Sequence, residues 1–274
     1  MKLGLVVHAE RSQAHQVAHA VVAGARRRGL EAVGQRRDAR LLGIGEADLR
    51  LPGIDLLVGV GGDGTMLEAV GLALQAGVPV LGVNVGRVGF LAEVEPHEVE
   101  TALDALSAGE WNEVLRTTVQ ASWSGAEPVV GLNDVVIDKA FSSRLVSLVA
   151  EVDGRRFITY HADGVIVSTP TGSTAYNYSA GGPLVDPEVP VLVLTPVAPH
   201  SLFDRSVVFP PGTALRFRVE DRQAALAVDG QELAKLQPGM TVEVTSGPQP
   251  VRFISVFRRS FPQLVTGKLR LDRA

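Results

Sequence analysis

Residues 54–65 constrain the fold more than any other stretch. Residues 54–60 are apolar apart from Asp55, the pattern of a strand covered on both faces. The run continues through Gly59-Val60-Gly61-Gly62-Asp63-Gly64-Thr65 into a helical pattern, with Met66, Leu67, Val70, Ala73 and Leu74 on one face. Thr65 and Glu68 stand at capping-box spacing. A buried strand that turns through glycines into a helix is the repeating unit of a parallel sheet with helices on its faces.

The neighbouring segments repeat that unit. Residues 3–7 read as a strand. Ser12 is placed to cap a helix with the stripe Ala14, Val17, Ala18, Val21, Val22 and Ala25, closed by Arg26, Arg27, Arg28 and Gly29. Residues 78–83 read as the next strand. Pro96 opens a helix with Val99, Ala102, Leu103 and Leu106 inward, and Gly109 ends it. The prediction is an α/β, Rossmann-like domain with a parallel sheet over residues 1–115.

Helical periodicity then fades. Of 16 prolines, only Pro52, Pro79 and Pro96 precede residue 128. Strand-like runs recur at 145–152, 165–168, 191–195, 215–219, 225–228, 241–244 and 251–256, and Asp153-Gly154 and Asp229-Gly230 are hairpin signals. One helix start is read near Thr174. Residues 116–274 are predicted to form a mostly-β domain, with the last residues able to return to the first.

Composition narrows the function. The chain has 274 residues, 46% hydrophobic, a net charge of −4 and no cysteine. That excludes disorder, zinc–thiolate sites, disulfides and cysteine nucleophiles, and gives no electrostatic case for nucleic acid. No segment approaches a membrane helix, and the apolar run after Met1 is too short for a signal peptide. The expectation is a cytoplasmic protein without nucleic-acid or membrane partners.

The chemistry lies in two loops. Gly59, Gly61 and Gly64 have G-x-G-x-x-G spacing, which lets backbone N–H groups approach a phosphate at a helix N-terminus. The acid that a dinucleotide fingerprint places at the end of the next strand is replaced by Asn84, which weakens a dehydrogenase reading. Asp63 would repel a phosphate unless it served the chemistry, either by taking a proton from an attacking hydroxyl or by helping to hold Mg²⁺. The plain alternative is a tight turn in which Asp63 caps the helix. In the second loop, five of the seven residues 168–174 carry hydroxyls, between an apolar strand and a helix start. They suit a ribose, a purine edge or a phosphate, and Tyr176 could stack on a base; the alternative is a solvated Ser/Thr turn. Asn133-Asp134, in the strand-like run 132–137, reads equally as an exposed strand edge or as a group for adenine and ribose. His15 and His19, four apart, read as a surface face rather than a metal pair. Trp111 and Trp123 read as packing between the domains.

Together these motifs resemble the NAD kinases. The resemblance covers about residues 54–260 and rests on Gly61-Gly62-Asp63-Gly64-Thr65, Gly82 through Leu91, Asn133-Asp134, Asp163 through Tyr176, Ser179-Ala180-Gly181-Gly182-Pro183, Pro199-His200-Ser201-Leu202 and Asp229-Gly230-Gln231. Only the first motif is shared with diacylglycerol and sphingosine kinases and, more loosely, with phosphofructokinases. The resemblance implies transfer of the ATP γ-phosphate to the 2′-hydroxyl of the adenosine ribose of NAD, giving NADP, with Mg²⁺ or another divalent cation. It implies Asp63 as general base and Gly61, Gly62, Gly64 and Thr65 as the phosphate loop. As NAD contacts it implies Asp63, Gly64, Phe90, Asn133, Asp134, Asp163, Thr174, Ala175, Tyr176 and Ser179, and by position Arg144, His161, Thr171, Ala198 and Gln231. It implies a homodimer or homotetramer and divides the chain into a phosphate-donor domain, 1–115, and an NAD-binding domain, 116–274. The sequence departs from the family pattern at Asp134 for the commoner Glu, at Asn177-Tyr178 for a small residue and Leu, and at Ser206 for Pro. The linker at 186–190 is short. A lipid kinase and a non-catalytic NAD sensor are the alternatives from other classes.

Overall fold

The computed structural model describes residues 1–86, 89–140, 144–257 and 259–269. They form two compact units, residues 1–115 with 251–274, and residues 116–250.

In the first unit, β1 (Lys2–Val7) leads into α1 (Ser12–Arg27), which buries the stripe read from the sequence. The expected Ser12 cap is corrected: Ser12 is the first helical residue, Arg11 holds the cap position, and no side chain caps the helix. The Arg11 side chain is used elsewhere, donating from Nη1 to the Val85 carbonyl at 2.9 Å. β2 (Glu31–Gly34), α2 (Arg36–Leu42) and β3 (Gly45–Glu46) follow; the sequence reading lacks them, because these short runs carry too many charges and glycines to show a period. β4 (Leu56–Gly61) is buried along its whole length. α3 (Asp63–Ala76) ends at Gly77 in the left-handed conformation, φ +70°. The Thr65–Glu68 capping box is also corrected: α3 starts two residues earlier, its cap is Gly62, and no side-chain cap bond is made. β5 (Val80–Asn84), α4 (Val99–Ala108, entered by a 3₁₀ turn at Pro96–Glu98) and β6 (Asn112–Arg116) complete the segment.

Among the described residues, the second unit holds twelve strands in two antiparallel sheets. In chain order they are β7 (Val119–Trp123), β8 (Val129–Gly131), β9 (Asp134–Lys139), β10 (Val146–Val152), β11 (Arg155–Ala162), β12 (Gly164–Ser168), β13 (Leu192–Val197), β14 (Val207–Phe209), β15 (Leu215–Val219), β16 (Ala224–Val228), β17 (Gln231–Leu236) and β18 (Thr241–Ser246). One sheet runs β11-β10-β15-β18-β7-β8 and the other β14-β13-β12-β9-β16-β17. Alternate residues point into a shared apolar core; on β15, Leu215, Phe217 and Val219 are buried while Arg216 and Arg218 are exposed. The Asp153-Gly154 and Asp229-Gly230 hairpins form, both aspartates at φ +49°. Where the sequence reads a helix start near Thr174 there are a 3₁₀ turn, Thr171–Thr174, and one helical turn, α5 (Tyr176–Ser179).

The chain then returns to the first unit. β19 (Val251–Ser255) enters the sheet β3-β2-β1-β4-β5-β19-β6, and α6 (Phe261–Leu269) follows. The neighbours β2-β1-β4-β5-β19 are mutually parallel. α1 and α4 cover one face over Leu3, Leu5, Val58 and Leu81. Arg28 bridges these helices, reaching Glu100 at 3.0 Å and Asp104 at 2.7 Å. α3 packs on the other face, where Met66 abuts Gly59 so closely that a Cβ there would lie 2.6 Å from its sulfur. Trp111 packs on the first unit's core and Trp123 on the second's.

Candidate active site

Strand order reverses between β1 and β4, and in open α/β sheets ligands bind beyond the carboxyl ends of strands at such a point. The glycine loop lies there. Gly61 abuts Thr65, so a side chain at 61 would block the turn into α3. With Gly62 as cap and, among the described residues, no side-chain cap bond to the first turn, the amides of Asp63, Gly64 and Thr65 keep their donor capacity for an anion.

Asp63 is held from the adjoining segment. Phe90 N–H donates to its Oδ2 and Leu91 N–H to its Oδ1, both at 3.2 Å. Gly89 lies against the same carboxylate, and a Cβ there would collide with it. The carboxyl plane is therefore fixed, and each oxygen retains a lone pair for a further donor. The loop carries no cation of its own. Arg11, at the cap of α1, brings its guanidinium beside Gly86 and within 3.8 Å of the position a Gly62 Cβ would take. No sequence signal marks Arg11, because only the sheet order brings it near. Arg87 and Val88 of the Gly82–Leu91 motif lie outside the described residues.

In the second unit the Asn133-Asp134 pair is built from below. The Asp229 carboxylate accepts N–H bonds from Leu132 at 2.7 Å, Asn133 at 2.7 Å and Asp134 at 3.2 Å. The exposed-edge reading is corrected: β9 lies between β12 and β16, and Asp134 is 4% exposed. Burial, with the nearby Asp229 charge, pushes the Asp134 carboxyl up to about 7. Burial raises the Asp229 carboxyl as well, against the three backbone N–H groups that favour its charge.

The hydroxyl-rich loop divides into two sets. Ser168, Thr169 and Ser173 are fully buried and bonded to backbone: Thr169 Oγ1 donates to Leu132 O at 2.6 Å, and Ser173 Oγ both receives from Val185 N at 2.9 Å and donates to Val185 O at 3.2 Å. These hydroxyls hold the loop, and neither a solvated turn nor a ligand explains them. Thr174 Oγ1 donates to Thr171 O at 3.1 Å, and Gly172 is pressed onto the Asn133 backbone. Thr171 Oγ1 is buried without a partner among the described residues, while Tyr176 and Ser179 are exposed.

Tyr176 interacts by charge with Asp138, Asp163 and Asp134; burial first, then these charges, raises its hydroxyl pKa. Asp163 is paired with Lys139 at 2.5 Å. The fold thus gathers Asp134, Asp163 and Tyr176 and adds Asp138 and Lys139, which sequence reasoning misses inside an ordinary strand. Ala175 links the 3₁₀ turn to α5. His161 is turned to another network, its Nδ1 at 2.9 Å from Ser147 Oγ, which donates to Asp221 at 3.0 Å. Ala198 follows β13 at φ +44°, a strained conformation for alanine. Arg144 and Gln231 are exposed, and no side-chain hydrogen bond or ion pair joins them to the acidic cluster among the described residues. Two departures from the family pattern meet in one network: Thr195 Oγ1 donates to Asn177 Oδ1 at 2.6 Å and lies 2.8 Å from Ser206 Oγ.

Comparisons with known proteins give the following. The ATP-NAD kinase N-terminal domain model matches residues 46–111, and the ATP-NAD kinase C-terminal domain model matches residues 132–256. The NAD kinase of Moorella thermoacetica is 38% identical over 278 residues, covering 98% of this chain and 89% of that protein. The NAD kinase of Heliobacterium modesticaldum is 41% identical over 230 residues, covering 82% and 81%. Two solved structures share the fold. Yeast NADH kinase complexed with NADH has a TM-score of 0.92 at 22% identity, covering 100% of this chain and 89% of that one. An NAD kinase from Archaeoglobus fulgidus in complex with ATP has a TM-score of 0.78 at 24% identity, covering 98% and 99%.

Proposed function

This chain belongs to the NAD kinase family, and from that premise we propose how its residues share the phosphorylation of NAD to NADP. The enzyme transfers the ATP γ-phosphate to the 2′-hydroxyl of the adenosine ribose. Asp63 is the general base. The observation that carries this assignment is the clamping of both its oxygens by Phe90 and Leu91 N–H, which aims a carboxylate from within a loop otherwise suited to phosphate. Phosphoryl transfer through a loose transition state asks little of a base until late, so Asp63 acts mainly by orienting the hydroxyl and then taking its proton. The amides of residues 61–65 are assigned to the transferring phosphate. Among the described residues no group of three or more His, Asp or Glu is placed to hold a metal ion. Mg²⁺ commonly rides on substrate phosphates with few protein ligands, so we assign it to ATP as Mg·ATP.

Asn133 and Asp134 are assigned to adenine and ribose, with Asp163, Thr174, Ala175, Tyr176 and Ser179 around the nucleotide. Phe90, Thr171, Arg144, His161, Ala198 and Gln231 remain candidate NAD contacts. Residues 1–115 are assigned to the phosphate donor and 116–274 to NAD, apart from β19 and α6, which lie in the first unit.

A carboxyl group accepts a pair of ribose hydroxyls most strongly when ionised, because the protonated acid keeps a weaker carbonyl acceptor and presents an O–H donor on its other oxygen. With Asp134 near 7, NAD binding is expected to be about tenfold weaker at pH 6 than at pH 8. In the ligand-free protein the sign is opposite for stability. The folded pKa lies above the unfolded value, so this group favours folding in acid, and its contribution is lost as pH rises from about 4 through about 7. Calorimetric titration of NAD across this range, with Asp134→Asn as the pH-insensitive control, checks the assignment; a flat wild-type profile removes Asp134 from the ribose.

We place the enzyme in the cytoplasm, as a homodimer or homotetramer. The exposed apolar side chains Phe157, Leu202, Phe203 and Val208 of the second unit support the assembly. Light scattering is expected to give two or four chain masses, and a monomer at micromolar concentration contradicts it.

A further inference from the structure

The glycine loop has no lysine or arginine between residues 59 and 65, yet the C-terminal helix brings a cation to its neighbourhood. The route is specific. Arg259 grips Glu98 with Nη2 at 2.5 and 2.7 Å and donates to Glu93 O at 2.9 Å, while Phe257 N–H donates to Glu93 Oε1 at 2.6 Å. These bonds anchor the entry to α6. In the last turn of α6, Lys268 sets its Nζ 4.4 Å from the centroid of the Phe90 ring. That nitrogen is buried and has no hydrogen-bond partner among the described residues. Burial draws its pKa down to about 8, outweighing the charges of Asp63 and Glu95, which favour the ammonium; Arg259 opposes it.

An ammonium buried without hydrogen bonds is costly, and the attraction of a ring face returns only part of that cost. Packing alone would be served better by methionine or leucine. Phe90 is also the residue whose N–H orients Asp63 Oδ2. We propose that Lys268 is a positioning residue for phosphoryl transfer: seated on Phe90, it holds the segment 89–91 against Asp63 and adds, on the Asp63 side, a positive charge distinct from that of Arg11. This rests on Asp63 being the base. Lys268 acts through Phe90 and the charge of Asp63.

The test compares Lys268→Met, Lys268→Gln, Lys268→Arg, Asp63→Asn and the double variant Asp63→Asn/Lys268→Met, each checked for fold by circular dichroism. Lys268→Met is expected to lower kcat roughly 10- to 100-fold, the cost of a misplaced catalytic group, with KM for NAD and ATP changed less than about threefold. Lys268→Gln is expected to match it and guards against a variant that fails to fold. Lys268→Arg is expected to restore most of kcat. The double variant is expected to be no slower than Asp63→Asn alone. A folded Lys268→Met or Lys268→Gln with wild-type kcat overturns the inference while leaving Asp63 as base. So does a loss that arginine does not rescue. Near-normal turnover in Asp63→Asn sinks the base assignment first, and Lys268 as its positioning residue with it.

Discussion

Asp63→Asn is expected to lower turnover by roughly 10² to 10⁴, the range for loss of a general base, while NAD still binds. The amide keeps the carboxylate's shape but cannot take a proton. It also cannot satisfy its surroundings, because its carbonyl oxygen accepts from only one of the Phe90 and Leu91 N–H groups and its NH₂ opposes the other. Stability is expected to fall by about 1–3 kcal/mol for that donor left without an acceptor. A coupled assay with an NADP-specific dehydrogenase reads turnover, and a thermal melt reads stability. Near-normal turnover with the expected drop in stability would leave Asp63 a purely structural acceptor for the Phe90 and Leu91 N–H groups; it does not cap α3, whose cap is Gly62.

The second large effect is expected at Asp229, which touches no assigned substrate group. One carboxylate satisfies three consecutive backbone N–H groups, those of Leu132, Asn133 and Asp134, from a hairpin position at φ +49°. Asp229→Ala strands all three donors and places alanine in a left-handed conformation, with an expected loss of about 3 kcal/mol or more in urea unfolding. NAD affinity is expected to fall with it, because Asn133 and Asp134 lose their support. Asp229→Asn tolerates the same backbone and keeps one acceptor oxygen, so an intermediate loss of about 1–2 kcal/mol is expected. Equal stability of Asp229→Ala and the wild type would show that water replaces the carboxylate and that the pair is held by β9 alone.

Much of this arrangement is legible in the sequence, for identifiable reasons. A strand buried on both faces, such as β4, is apolar at nearly every position, and α1 and α4 announce themselves by their stripes. β2 and β3 are too short and mixed for either period to show. The start of α3 reads two residues late because Thr65 and Glu68 have the spacing of a capping box, whereas Gly61 and Gly62 let the chain turn into the helix sooner. In the 168–174 loop the hydroxyls mark an unusual segment, but composition does not say which of them end on backbone; burial of Ser168, Thr169 and Ser173 does. Arg11, Asp138 and Lys268 are invisible for a different reason. Each lies in an ordinary local sequence and is brought to a site by sheet order, cross-strand register or the return of the chain through β19. Asn177 and Ser206 read as unrelated departures from the family pattern, yet Thr195 connects them. A pair of that kind is defined by space, not by spacing.

The most direct measurement is ³¹P NMR of NAD incubated with Mg·ATP and the wild-type enzyme. A new phosphomonoester resonance from the 2′-position, growing one-for-one with ADP, is the predicted result. Conversion of ATP to ADP and free phosphate with NAD unchanged, or no consumption of ATP at all, would contradict it.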